Sequence, residues 1–222
     1  MTALTDRDEA SARSEICRVG RSLFDRGYVH ATAGNISVKL GDGFLITPTD
    51  ACLGQLQPER LARIDGAGLQ TGGEQASKTL ALHQRIYAAA PDARCVIHSH
   101  STHLVALTLQ GVHSAADVVP PITPYYVMKV GHVALMPYHR PGDPLLADRV
   151  ARHITDMAAA GTPVRAVMLD RLGPTVWHTS PALASGVLEE LEETARLWLL
   201  CKPAPLSEAQ IDELRQFFGA VW

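Results

Sequence analysis

Cys95-Val96-Ile97-His98-Ser99-His100 is the stretch on which the reading of this chain turns. A short apolar run ends in two histidines one residue apart. Alternate side chains of a β-strand share a face, so the run predicts a buried strand whose end presents His98 and His100 in one direction. Two imidazoles on one face supply two ligands to a borderline-soft metal such as zinc. The same spacing also arises by chance, or in the polar rim of a strand end. Metal binding is therefore one of two readings at this point.

Outward from that strand, helices and strands interleave. On the upstream side Ser77 is placed to cap a helix through Leu82 and Ile86 to Ala89, with Pro91 beyond its end. Residues 8–26 carry Ile16, Val19, Leu23 and Phe24 at helical spacing, with Gly27 as a stop. Thr32-Ala33-Gly34-Asn35-Ile36-Ser37-Val38 reads as a small polar turn feeding a strand. Gly41-Asp42-Gly43 is a hairpin turn into the strand Phe44-Leu45-Ile46. Residues 61–64 and 69–71 flank Asp65-Gly66-Ala67-Gly68 as a second hairpin.

Downstream, residues 101–109 predict a helix, and the proline-rich region 111–140 predicts a long loop holding a strand at 133–136. Asp143-Pro144 opens a helix to about Ala159. Strands follow at 166–169 and, after a turn at Gly173-Pro174, at 175–177. Ser180-Pro181 opens the longest helix, to about Cys201, and 207–218 is a last helix with the capping-box pair Ser207 and Gln210. The hairpins argue against a purely parallel sheet. The expected fold is α/β: one domain over residues 1–222, three layers, with a central mixed, largely antiparallel sheet between helices.

Composition narrows the partners. With 222 residues, 46% hydrophobic and 19% charged, the chain reads as an ordinary soluble globular protein. A net charge of −3 gives no electrostatic case for nucleic acid or an anionic membrane. No apolar run is long enough to span a bilayer, and the polar stretch 1–15 does not read as a signal peptide. Cys17, Cys52, Cys95 and Cys201 form no CxxC pair and read as reduced thiols of a cytoplasmic protein.

Polar clusters fall at predicted strand ends and at a helix start: 32–37, 47–50, Ser77-Lys78 and 98–103. Hydroxyls, an amide, glycine backbone and a helix N-terminus beside a lysine make a cradle for phosphate or carboxylate. Each cluster alone is ordinary turn chemistry. Their joint presence in one domain points to an anion site. Lys78 in a first helical turn opposes the helix dipole, a small cost that a bound anion would offset.

Thr32-Ala33-Gly34-Asn35-Ile36-Ser37, Thr47-Pro48-Thr49, His98-Ser99-His100 and the proline-rich middle resemble the class II aldolase/adducin family, over nearly the whole chain from about Ile16. Ser77-Lys78, Cys52-Leu53-Gly54, Tyr138-His139-Arg140-Pro141-Gly142-Asp143 and Glu189-Glu190-Leu191-Glu192-Glu193-Thr194 look most like its 3-oxo-tetronate 4-phosphate decarboxylase branch. The resemblance implies a C4 homotetramer with active sites between subunits. It implies zinc or another divalent ion on three histidines, two of them matching His98 and His100. It further implies a phosphorylated small-molecule substrate held around Thr32, Asn35, Thr49 and Ser77. Lys78 would be the catalytic and binding cation on a carboxylate or phosphate. The chemistry implied is metal-assisted carbon–carbon cleavage or decarboxylation through an enediolate, with metal-bound water or a tyrosine such as Tyr125 or Tyr126 from a neighbouring subunit as proton donor.

Three departures from the family pattern stand out. The third metal histidine of an Asn-His-Gly run falls on Leu172, within Asp170-Arg171-Leu172-Gly173-Pro174. The catalytic glutamate, four residues before His83, is Thr79. Ala31 and Asp50 stand where glycines are common near the phosphate. His139, His132, His178 and Asp170 are candidates to complete the metal set, and His103 is a candidate to orient a ligand. The leading expectation is a metal-dependent carbon–carbon lyase on a phosphorylated sugar acid or ketose. A metal-independent enzyme using Lys78, Arg171 or His100, or a non-catalytic adducin-like binding protein, are the alternatives.

Overall fold

The computed structural model describes residues 6–222. The N-terminal stretch read as lacking a signal peptide begins outside them. Eight strands form one sheet: β1 (Asn35–Lys39), β2 (Phe44–Ile46), β3 (Ala62–Ile64), β4 (Gln70–Gly72), β5 (Cys95–His98), β6 (Ala134–Met136), β7 (Ala166–Leu169) and β8 (Gly173–His178). Their spatial order is β4-β3-β2-β1-β5-β8-β7-β6. Only β6–β7 is parallel; the other pairs are antiparallel. The mixed, largely antiparallel sheet is as expected, and both hairpins form where the glycine turns place them.

Period-two alternation sorts the strands into two cores. Cys95 and Ile97 of β5, with Ile36 and Val38 of β1, join helices α1 (Asp6–Asp25), α3 (Thr102–Gln110) and α5 (Pro181–Cys201). Val96, with Val167 and Leu169 of β7 and Trp177 of β8, joins α2 (Leu80–Ala89) and α4 (Pro144–Ala159). A last helix, α6 (Glu208–Phe218), carries the expected capping box between Ser207 and Gln210.

Three local expectations change. β5 ends at His98, so His100 lies beyond the strand and not on it. The proline-rich region holds a π-helical turn, Tyr126–Val130, that no local pattern announced. Ser77 does not cap α2: that helix starts at Leu80 behind Thr79. The reason is tertiary. Pro48 bridges Ala76, Thr49 N–H donates to the Gln75 carbonyl and Ser77 N–H to the Thr47 carbonyl, so the segment before the helix is held extended against the end of β2.

β8 also starts two residues earlier than predicted, because Gly173 and Pro174 pair with Leu169 and Met168 instead of forming the turn. Gly173 has φ +127, and a Cβ there would collide with the Ser99 carbonyl. Only glycine lets β8 approach the end of β5 this closely.

His103 does not support His98 or His100. Its Nδ1 is 2.8 Å from Oε1 of Glu192, a buried α5 carboxylate that also accepts from the backbone N–H groups of His103 (2.9 Å) and Leu104 (3.1 Å). Ser101 makes no side-chain cap, so Glu192 is the cap of α3, supplied from another helix. Glu192→Ala strands these donors, and urea unfolding should show a loss of about 3 kcal/mol. An unchanged midpoint would refute the capping role.

Candidate active site

A cavity of about 210 Å³ opens where β2 and β5 end and β1, α2 and α4 begin. Its size suits a metabolite rather than a macromolecule. Thr32, Asn35, Thr49, Ser77, Lys78, His98 and His100 all line it, so residues from four separate stretches meet in one place. Leu82, Leu146, Leu169 and Leu172 supply its apolar wall.

His98 is buried at the floor. Its Nδ1 lies 3.0 Å from the Pro174 carbonyl and 3.1 Å from Thr175 Oγ1, so Nδ1–H donates and Nε2 keeps the free lone pair. Burial first, then the neighbouring His100 and His83, hold its pKa down to about 3, against the opposing Pro174 carbonyl. His100 is lowered too, by burial and then by His30. Both rings are neutral at pH 7, the form that ligates metal. Their centroids are 5.0 Å apart with planes at 71°, although only one of them belongs to the strand. The turn after β5 brings His100 back to the same cavity.

As a pair, these two histidines fit a divalent ion: both are neutral, and one is oriented through its other nitrogen by a carbonyl. The wall does not supply a third ligand. Leu172 lines the cavity where the family pattern has its histidine, and the described residues contain no group of three His, Cys, Asp or Glu suited to a metal. The named substitutes are engaged elsewhere. His132 bonds Asp117 and stacks on Trp222, His139 bonds Asp143, and His178 bonds Thr179. Asp170 does not line the cavity. His30, which no local motif singled out, has its ring centroid 6.5 Å from that of His100 but does not line the cavity.

The anion side of the cavity has its own signature. Asp50 does not point a bare charge at it; both carboxylate oxygens lie 3.3 Å from Lys78 Nζ, an exposed pair. Lys78 sits just ahead of α2, outside its first turn. Ala31 and Asp50 have φ of +47 and +55, the left-handed region that glycine occupies freely. Arg171, in the position of the family asparagine, has φ +61. The backbone thus keeps the glycine shape without the glycines, at a cost of about 1 kcal/mol each. Tyr126 is fully buried, with its hydroxyl 3.3 Å from the Val119 carbonyl and its pKa raised by burial, and neither it nor the exposed Tyr125 lines the cavity. Enclosed within its own subunit, the Tyr126 hydroxyl is not available as the proton donor expected from a neighbouring subunit.

The sequence profile of the Class II Aldolase and Adducin N-terminal domain matches residues 14–199. The chain belongs to this family. It is 52% identical over 221 residues to the 3-oxo-tetronate 4-phosphate decarboxylase of Cupriavidus necator, covering 96% of this chain and 99% of that one. The protein of the same name from Escherichia coli K12 is 41% identical over 212 residues, covering 93% and 96%. Among solved structures, YgbL from Escherichia coli superposes with a TM-score of 0.83 at 40% identity, covering 93% of this chain and 99% of that one.

Beneath the cavity, His83 of α2 is fully buried beside Asn35 and Ser37 of β1. No local motif marks His83 as a functional residue. The signal was nonetheless present: Asn35 and Ser37 share a strand face, and His83 and Tyr87 share a helix face. Burial holds the His83 pKa down to about 3 from 6.5. The unfolded chain therefore binds a proton below pH 6.5 that the folded chain refuses until about 3, so stability is lost as pH falls through that window. Urea unfolding at pH 5 instead of pH 7 should cost the wild type roughly 2 kcal/mol from this group, a loss absent in His83→Gln.

Proposed function

We propose that this chain decarboxylates a 3-oxo-tetronate 4-phosphate, as a carbon–carbon lyase of the class II aldolase family. The observation that carries the choice between decarboxylation and aldol cleavage is Thr79, which lines the cavity where the family pattern has its glutamate base. Retro-aldol cleavage begins with removal of a hydroxyl proton by a base. Loss of carbon dioxide from a 3-oxo acid needs none, because the electrons of the breaking C1–C2 bond flow into the C3 ketone. Asp50 and Asp143, the carboxylates that do line the cavity, are engaged by Lys78 and by the Leu145 N–H. The relatives at 52% and 41% identity, named for this decarboxylation, support the same reading. These relatives, named as enzymes, favour catalysis over the non-catalytic alternative.

In this reading Thr32, Asn35, Thr49 and Ser77 bind the phosphate or carboxylate. Lys78 exchanges Asp50 for a substrate anion and balances its charge. The departing carbon dioxide leaves an enediolate, and a proton delivered to C2 gives a three-carbon ketose phosphate. Class II aldolases are generally dependent on a divalent metal; His98 and His100 are the residues of this chain that would hold one, zinc being the expected ion, and it would polarise the ketone. Assembly as a C4 homotetramer with sites between subunits is part of the proposal, supported by the exposed Tyr125, Leu200, Phe217 and Phe218. A cytoplasmic location is supported by the four free thiols. No helix among the described residues is long and apolar enough to cross a membrane.

Incubation with 3-oxo-tetronate 4-phosphate should release one carbon dioxide per ketose phosphate formed, and retro-aldol products alone would refute the assignment. Lys78→Ala should lower kcat/KM by about 100-fold, in line with loss of a charge-assisted contact. His98→Ala should abolish bound metal, by elemental analysis, together with turnover; retained activity without metal would favour the metal-independent alternative.

A further inference from the structure

Four buried side chains run in a line from the core to the cavity. Tyr87 Oη lies 2.8 Å from Ser37 Oγ, Ser37 Oγ 2.7 Å from His83 Nδ1, and His83 Nε2 2.6 Å from Asn35 Oδ1. Ser37 and His83 are fully buried and Asn35 is 6% exposed. Inventory of donors gives this line one direction. The Asn35 carbonyl oxygen only accepts, so His83 Nε2 carries the proton. A neutral imidazole has one N–H, so Nδ1 accepts and Ser37 O–H donates to it. Ser37 has no second proton, so Tyr87 O–H donates to Ser37. Burial keeps the Tyr87 phenol protonated and the His83 ring neutral, so the line carries no charge, and the Asn35 oxygen facing Nε2 sets its direction.

The far end of the line is the Asn35 amide nitrogen. It makes no hydrogen bond among the described residues, it is not an enclosed orphan, and its residue lines the cavity beside Lys78 and His98. With its oxygen claimed by His83, the amide keeps its N–H donors uncommitted at the edge of the cavity. We propose that His83 is a positioning residue for anion recognition, holding Asn35 in the one amide orientation that offers donors, not an acceptor, to the substrate's phosphate or carboxylate. This rests on the reading that Asn35 touches that anion. A free Asn amide could flip and present its oxygen to the anion, which would repel it. The locked one flips only by leaving the Nε2 proton unpaired in the core or by reversing every donor of the buried line.

Three measurements on the full chain test it. Nitrogen-15 NMR of the labelled histidines should show His83 protonated on Nε2 and accepting at Nδ1; the opposite tautomer overturns the proposal even if no variant folds. Titration with inorganic phosphate should show His83→Phe weakening its Kd by about tenfold, the worth of a hydrogen bond to a charged group. His83→Gln, whose amide reaches Asn35 Oδ1 as a donor, should recover most of that loss. With substrate, the change should sit in KM more than in kcat, as lost uniform binding does. Asn35→Ala separates the two claims. If Asn35→Ala weakens phosphate while a folded His83→Phe does not, His83 has no positioning role. If neither variant changes phosphate binding, Asn35 is not an anion contact, and the proposal falls with that reading.

Discussion

The antiparallel pairing of β5 with β1 on one side and β8 on the other sets the geometry on which the rest depends. Its register puts Asn35 opposite His98 and His98 opposite Thr175. The same ladder that satisfies backbone groups at the centre of the sheet therefore sets a metal-type histidine between an anion-type amide and the oxygens that fix its tautomer. A shift by one residue would turn His98 into the α1, α3 and α5 core and move Cys95 or Ile97 to the cavity side. Hydrophobic burial forbids that slip. The core defines the register, and the register defines the site.

Departures from the family pattern look less arbitrary in this frame. Ala31, Asp50 and Arg171 keep left-handed backbone at positions where glycine or asparagine would be easier. Such conformations persist when surrounding contacts over-determine them. Thr79 and Leu172 both line the cavity and change the chemistry of its wall. The loss of a base is compatible with a reaction whose electrons come from a departing carboxylate, and the loss of a ligand leaves two histidines in the cavity, with His30 beside His100 but outside the lining.

Polar groups inside this protein are organised as directed chains. Glu192 closes the N-terminus of α3 from α5, and Tyr87, Ser37, His83 and Asn35 transmit a donor from the core to the cavity. Buried polar networks that are fully satisfied rigidify what they touch. In both cases the partners are far apart in sequence and adjacent in space. No reading of either helix alone would pair them.

Much of this protein was legible in the amino-acid order. Strand and helix periodicity, glycine hairpins and cap residues act over a few neighbours, so the sheet elements, the mixed topology and the capping box of α6 follow from local physics. Strand spacing marked His98 and His100, and the family resemblance of the polar clusters marked Thr32, Asn35, Thr49, Ser77 and Lys78. Local order could not decide what long-range pairing decides. Ser77 is held to Thr47 and so cannot start its helix. Gly173 and Pro174 are drawn into a strand by β7 and the end of β5. His103 is claimed by a carboxylate 89 residues away. Tyr126 is swallowed by the core, and His83 acquires its meaning only when α2 lies across β1. Backbone and buried polar groups must find partners wherever the fold brings them, and that requirement belongs to the tertiary structure alone.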